Sequence, residues 1–282
     1  MDLLTEIIKF IFFSGIIVLI SKYILVNVIR KLAETLNLKP KTVGNISGIA
    51  TSMPELLSVS FAAVAGLIDT SIYNILSSNV INLVQYIFAV FLNKNQKLLN
   101  NKALKIDIIL VLITILIPGL IMILKIEMDL KLVPIFILLF LLFFMLNKNA
   151  HKLYLKKEKT KEEIEIGEEI KWLKGKKKKT VQYAIYLILT GILLFIIGNL
   201  LSNTLENLSF IFNIPEFVIG IALGFITSIP ELITFFESQK HHKKKDNHTE
   251  GVIEATNNLL ISNMMNLFVI QTIAIVLYSV LK

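Results

Sequence analysis

The chain contains no cysteine. That absence excludes disulfides, thiolate metal centres and cysteine nucleophiles together, and it leaves the redox compartment unmarked. Histidine is scarce as well, with four in 282 residues, and none falls in an apolar run. Soft metals therefore lack both of their usual ligands. No nucleophile stands beside a base and no nucleotide motif occurs, so an enzyme is not expected. The apolar start at Leu3 lacks a basic n-region and a small-residue cleavage site, and Lys22 interrupts it. It is expected to be a retained first helix rather than a signal peptide.

What is abundant is apolar surface. With 55% hydrophobic residues and a mean hydropathy of +0.71, the chain is too apolar for a soluble domain and is expected to cross a membrane many times. The net charge of +8 comes from lysines between apolar runs, where topology explains them and nucleic acid is not implied. A crossing needs about 20 apolar residues. Eight runs qualify: Ile7–Ile29, Val43–Leu67, Ile72–Leu92, Ile108–Leu124, Leu132–Leu146, Val181–Leu201, Phe217–Phe236 and Val252–Leu281. The last is longer than one straight crossing and is open to a break. Lipid leaves no backbone group unpaired, and these runs are too uniformly apolar for barrel strands, so all eight are expected to be helices.

The basic residues orient them. Arg30, Lys31, Lys39 and Lys41 follow the first run; Lys94, Lys97, Lys102 and Lys105 follow the third. The alternate connections are poor in base, so the N-terminus is expected outside a cell (plasma) membrane. The connection 148–180 and the loop 237–250 are then cytoplasmic. The former is expected to be a solvated basic linker whose lysines meet anionic headgroups. His241, His242 and His248 have no ordered spacing and are expected at the surface. The domain division is a first half (1–147) with five helices, the linker (148–180), and a second half (181–282) with three.

Two segments repeat. Gly48-Ile-Ala-Thr-Ser-Met-Pro-Glu55 returns as Gly224-Phe-Ile-Thr-Ser-Ile-Pro-Glu231, and each is followed by Asn-x-x-x-Ser-Asn-x-x-Asn, at Asn74–Asn82 and Asn258–Asn266. The gap in the second copy is eight residues longer, in the lysine- and histidine-rich loop where insertion is tolerated. The orientation makes the copies antiparallel: an inverted repeat, spanning 43–92 and 217–281. Such repeats build secondary transporters, with ion sites near the midplane on helices broken by glycine and proline. Serine and threonine alone also suit close helix contacts, but a doubled, inverted pattern with matching downstream partners points to a site.

The candidate ligands are Glu55, Glu231, Thr51, Ser52, Thr227, Ser228, Ser78, Asn82, Ser262 and Asn266, a set of oxygen donors suited to calcium or sodium. An ionisable group at bilayer depth marks function by default. Pro54 and Pro230 each remove a helix hydrogen bond, freeing a carbonyl near the glutamate. On a helix Thr51 and Glu55 are four apart, and Ser78 and Asn82 likewise, so each pair is expected to share a face. Two facing carboxylates repel unless a divalent ion, several monovalent ions or protons lie between them, which is a physical basis for exchange.

These residues resemble the alpha-repeats of the cation/calcium exchanger superfamily, most closely its sodium/calcium exchanger branch. Thr51-Ser52-x-Pro54-Glu55 and Thr227-Ser228-x-Pro230-Glu231 both keep the core of that family's signature. The resemblance implies that the two glutamates coordinate calcium and sodium in turn, and that Gly48 and Gly224 stand where carbonyls line the sodium sites. It also implies a helical bundle, usually of ten helices, without cofactors. The chain departs from the pattern at Ala50 and Ile226, and at Ser77 and Ile261, where the family has glycine. The Gly-Asn-x-x-Glu pattern of the proton-coupled branch is absent, which favours sodium, and Asn82 and Asn266 supply no third carboxylate, unlike potassium-dependent members. The usual last two helices are not expected, so either lipid or a second protomer is expected to cover that side, or the protein is a reduced or degenerate member.

The expectation is thus an all-α membrane protein of about eight helices with inverted repeats, exchanging sodium for calcium by alternating access. Two alternatives stay open. One is a proton-coupled or other divalent antiporter; the other is a non-transporting protein that retains a cation site.

Overall fold

The computed structural model of the protein describes residues 3–64, 66–100, 102–124, 126–155, 177–212, 215–244 and 247–281. Among these residues the fold is helical, with no strand. The first crossing is α1 (Leu3–Ile20), a π-helical turn at Ser21–Leu25, and α2 (Val26–Leu36). It closes at Asn37, whose φ of 50° makes a left-handed cap. The helix therefore outruns the expected Ile29. Arg30 and Lys31, read as loop residues from their charge, lie inside it.

The second crossing is two half-helices rather than one. α3 (Pro40–Thr51) begins on proline, which is pre-set for that place. It ends at Ser52, where φ −79° and ψ 3° leave the helical range. α4 (Met53–Val64) starts again with Pro54 in its first turn. Pro54 has no N–H, so the Ala50 carbonyl four residues back loses its helix donor. The later crossing repeats this: α9 (Glu216–Thr227) stops at Ser228 (φ −82°, ψ 2°), and α10 (Ile229–Lys243) restarts through Pro230. The breaks overturn the expectation that Thr51 and Glu55 share one helical face, because they belong to different half-helices.

The remaining helices are α5 (Ile68–Leu92), α6 (Lys102–Ile123), α7 (Leu132–Leu155), α8 (Lys177–Phe212), α11 (His248–Met264) and α12 (Gln271–Leu281). A π-helical turn at Met265–Ile270 joins the last two, the break that the length of that run allowed. Six of these stretches are long and apolar enough to cross a membrane, and Leu132–Asn147 is a shorter apolar helix. Exposed residues such as Ile11, Phe12, Leu138 and Ile188 face outward as lipid would require. The centre of the 148–180 linker, residues 156–176, lies outside the described residues.

Packing carries the repeat. α3 lies along α11, and α9 lies along α5. Lipid tails are as apolar as the side chains, so close backbone approach rather than hydrophobicity must hold such pairs, and small residues permit it. A methyl carbon on Gly48 would stand 2.7 Å from the Asn258 carbonyl oxygen; one on Gly224 would stand 2.8 Å from that of Asn74. Each half-helix thus seats its glycine against the opposite repeat. α8 packs along α1 and α2, and this pair meets the rest through an apolar cluster including Ile17, Leu194, Leu201, Ala50 and Ile226. On the far side, α6 and α7 cover α11 and the π turn, with Phe136 and Phe143 against Phe268.

Candidate cation site

The two helix breaks meet at the centre of the bundle. Glu55 and Glu231 each occupy the first turn of a half-helix, where the positive helix end favours a carboxylate. Both are completely buried. Each is held by the other repeat or its own downstream helix: Ser228 donates to Glu55 Oε1 at 3.3 Å, and Ser262 donates to Glu231 Oε1 at 3.0 Å. Thr227 and Thr51 likewise face Glu55 and Glu231.

Hydroxyls and amides tie the halves together. Ser52 donates to the Gly48 carbonyl at 2.9 Å and lies 2.9 Å from the Ser262 hydroxyl. Thr51 is 3.4 Å from the same carbonyl and 3.5 Å from Asn258 Oδ1. Ser78 donates to the Gly224 carbonyl at 3.3 Å, and Thr227 to Leu223 at 2.9 Å. Asn82 donates to Ser262 at 3.4 Å and to Asn263 Oδ1 at 3.2 Å; Asn266 donates to Asn79 Oδ1 at 3.2 Å. The ten side-chain ligand candidates are each at most 2% exposed. Gly48 and Gly224 are buried beside them, their carbonyls already accepting the bonds just named.

Sequence reading passed over the residues that fix this arrangement. Asn79 and Asn263 exchange amide-to-backbone bonds, Asn79 Nδ2 to Asn263 O at 3.3 Å and Asn263 Nδ2 to Asn79 O at 3.2 Å. Asn74 holds Ser58, and Asn258 holds Thr234, while Ser58 and Thr234 donate to the backbone carbonyls of Glu55 and Glu231. The signal was present, since all four asparagines stand in the doubled pattern. The sites that depart from the family's glycine find neighbours: Ala50 and Ile226 join the apolar cluster against α8, Ser77 reaches the Asn74 and Gly220 carbonyls, and Ile261 packs against Gly48.

Among the ligand candidates, four buried oxygens have no hydrogen-bond partner: Glu55 Oε2, Glu231 Oε2, Asn82 Oδ1 and Asn266 Oδ1. They are two pairs related by the repeat, and all are acceptors. Ser52 and Ser262 have two hydroxyl protons for three contacts that each need one, so one of those contacts lacks a proton. An unpaired buried acceptor costs about 1–3 kcal/mol. A matched set of four carboxylate and amide oxygens fits a hard cation such as calcium.

Two expectations fail near the basic loop. His242 is buried, 3.0 Å from Glu254 Oε2, and His248 is partly buried against Asn95 Oδ1 at 3.1 Å. Their partners lie far off in the chain or a helix away, where spacing does not reveal them, so neither is a free surface residue.

The family described as sodium/calcium exchanger protein matches residues 7–147 and 182–282. No curated protein sequence matches the chain significantly. A solved structure of the sodium-calcium exchanger NCX_Mj, soaked with 10 mM Na+ and zero Ca2+, superposes with a TM-score of 0.55 at 17% identity. That superposition covers 99% of this chain and 88% of the other, and it shows a shared fold. Matched over most of its length and built from membrane-crossing helices, the chain belongs to the sodium/calcium exchanger protein family and is a multi-pass membrane transporter of cations, not an enzyme.

Proposed function

We propose that the protein moves calcium across the plasma membrane in exchange for sodium by alternating access. The observation that carries this is the matched set of unpartnered oxygens on Glu55, Glu231, Asn82 and Asn266. Two carboxylates balance one divalent ion or more than one monovalent ion, and that equivalence is what exchange needs. Glu55 and Glu231 serve both ions. Ser52, Ser228, Ser78 and Ser262 orient them, with Thr51, Thr227 and the Gly48 and Gly224 carbonyls completing the sodium sites.

The N-terminus lies outside and the 148–180 linker inside, as the basic loops favour. The halves 1–147 and 181–282 form the pseudo-symmetric pair. The α1–α2 and α8 pair slides on the core to switch access, which its largely apolar contact with α3 and α9 permits.

Proteoliposomes loaded with sodium and diluted into sodium-free medium should take up calcium. Glu55→Gln and Glu231→Gln should each abolish uptake and weaken calcium binding by about 30-fold or more, the scale of removing one charged partner from a buried pair. Uptake that ignores sodium but follows a pH gradient would replace sodium with protons as the coupling ion. Calcium binding without flux under either gradient would show a non-transporting protein.

A further inference from the structure

One buried carboxylate has no part in that exchange. Glu254, on α11, is 3% exposed and stands four residues before Asn258. Arg30 of α2 grips both its oxygens, Nη2 to Oε1 at 2.6 Å and Nη1 to Oε2 at 2.7 Å. His242 Nε2 adds a contact to Oε2 at 3.0 Å, and its other nitrogen lies 3.2 Å from Glu250 Oε2. A planar, two-point guanidinium–carboxylate fork is the strongest geometry such a pair adopts.

The repeat shows what is unusual about it. The position matching Glu254 is Thr70, four residues before Asn74. The equivalence is structural too, because Gly44 packs on the Glu254 carbonyl as Gly220 packs on that of Thr70. Thr70 Oγ1 is buried with no hydrogen-bond partner. One end of the bundle is therefore tied by a charged fork, and the matching place at the other end is not. The fork also joins two bodies that share an apolar cluster: Arg30 rides on the α1–α2 and α8 pair, and Glu254 belongs to the core.

Beside the fork lies a cleft of about 10 Å³ lined by Val26, Ile29, Arg30, Ser47, Thr234 and Glu254. Two of its lining residues connect to the cation site. Thr234 donates to the Glu231 carbonyl at 2.8 Å and accepts from Asn258, and Ser47 adjoins Gly48. Arg30 thus stands between the basic-loop face and the residues that position Glu231.

We propose that Arg30 and Glu254 are a latch that holds this face, cytoplasmic in the orientation proposed above, closed over the cation site, and that they part when it opens. The proposal rests on the alternating-access reading. Sliding α2 along the core must break the fork, and removing one partner leaves a buried charge uncompensated. Opening is then favoured only when something else rewards it, and a cation arriving at the cleft is attracted to the carboxylate that Arg30 releases.

The lack of cysteine gives a direct test. A Ser47→Cys variant carries a single thiol, inside the cleft. A membrane-impermeant thiol reagent is applied to the cytoplasmic face of vesicles and the labelling rate measured, alone and combined with Arg30→Gln, with Glu254→Gln, or with the swap Arg30→Glu plus Glu254→Arg. Either single change should speed labelling about tenfold or more, the usual range of a conformational coupling, and the swap should slow it again. Equal rates with the fork intact and broken would overturn the latch. The two single variants decide the matter even if the swap fails to assemble. Calcium binding by calorimetry accompanies each variant, and sodium-driven uptake is measured on the Ser47→Cys protein. Intact binding and uptake with unresponsive labelling sinks the latch alone, whereas responsive labelling without sodium-driven uptake sinks the exchange reading alone.

Discussion

Substituting Gly48 with alanine tests whether helix contact or ligand chemistry sets the site. The added methyl would lie 2.7 Å from the Asn258 carbonyl oxygen and 3.0 Å from both Ile261 Cβ and the Ser262 nitrogen. These atoms are backbone or close to it, so no side chain can rotate away. Against an ordinary contact beginning near 3.4 Å, α11 must retreat from α3 by about 0.7 Å. Ser262 rides on that segment of α11. Its 2.9 Å contact with Ser52, across the gap that opens, would stretch to about 3.6 Å, beyond a useful hydrogen bond. Overpacking of this size costs about 1–3 kcal/mol. If half of that falls on the site, calcium affinity drops by about two- to twelvefold, since 1.4 kcal/mol is a factor of ten. Calorimetric titration with calcium and thermal unfolding in detergent read the two parts. Gly15→Ala is the control, because nothing lies within 4 Å of a methyl there and a helix gains slightly from losing glycine. Unchanged affinity and melting temperature in Gly48→Ala would refute the close-packing account.

Three further outcomes are expected. Ser262→Ala leaves Glu231 without its 3.0 Å donor, so calcium binding should weaken by about tenfold, a charged hydrogen bond being worth about 1.5–3 kcal/mol; titration measures it. Tyr86 and Thr256 share a buried 2.6 Å bond, and Thr256 already donates to Val252, so Tyr86 is the donor. Tyr86→Phe should lower stability by about 0.5–1.5 kcal/mol in detergent unfolding, and adding Thr256→Val should cost less than Thr256→Val does alone. Finally, Lys244→Cys should react with an impermeant thiol reagent only after intact cells are permeabilised; reaction in sealed cells would reverse the topology.

The spans and the site differ in how far the sequence disclosed them. Lipid demands a long apolar run for each crossing, so counting runs located the helices, and the positive loops paired the two Thr-Ser-x-Pro-Glu segments from opposite directions. The ligand candidates did converge, because inverted half-helices broken at proline have little else to meet. The fork could not be anticipated. Arg30 and Glu254 lie 224 residues apart, and a charge near the end of an apolar run looks the same whether it faces water or a buried partner. His242 was hidden for the same reason. The half-helix break moved Thr51 off the Glu55 face because proline reshapes the turn before it, while periodicity counts residues as though the helix were straight.

The seating of each glycine against the opposite repeat has a consequence for how the two copies depend on each other. Gly48 rests on the strip of α11 that carries Ser262, and Gly224 on the strip of α5 that carries Ser78. Neither copy therefore shapes its own ligands alone; each is the mould in which the other's are set. A change in one copy is felt first in the binding geometry of its twin, so the two can be altered productively only as a couple.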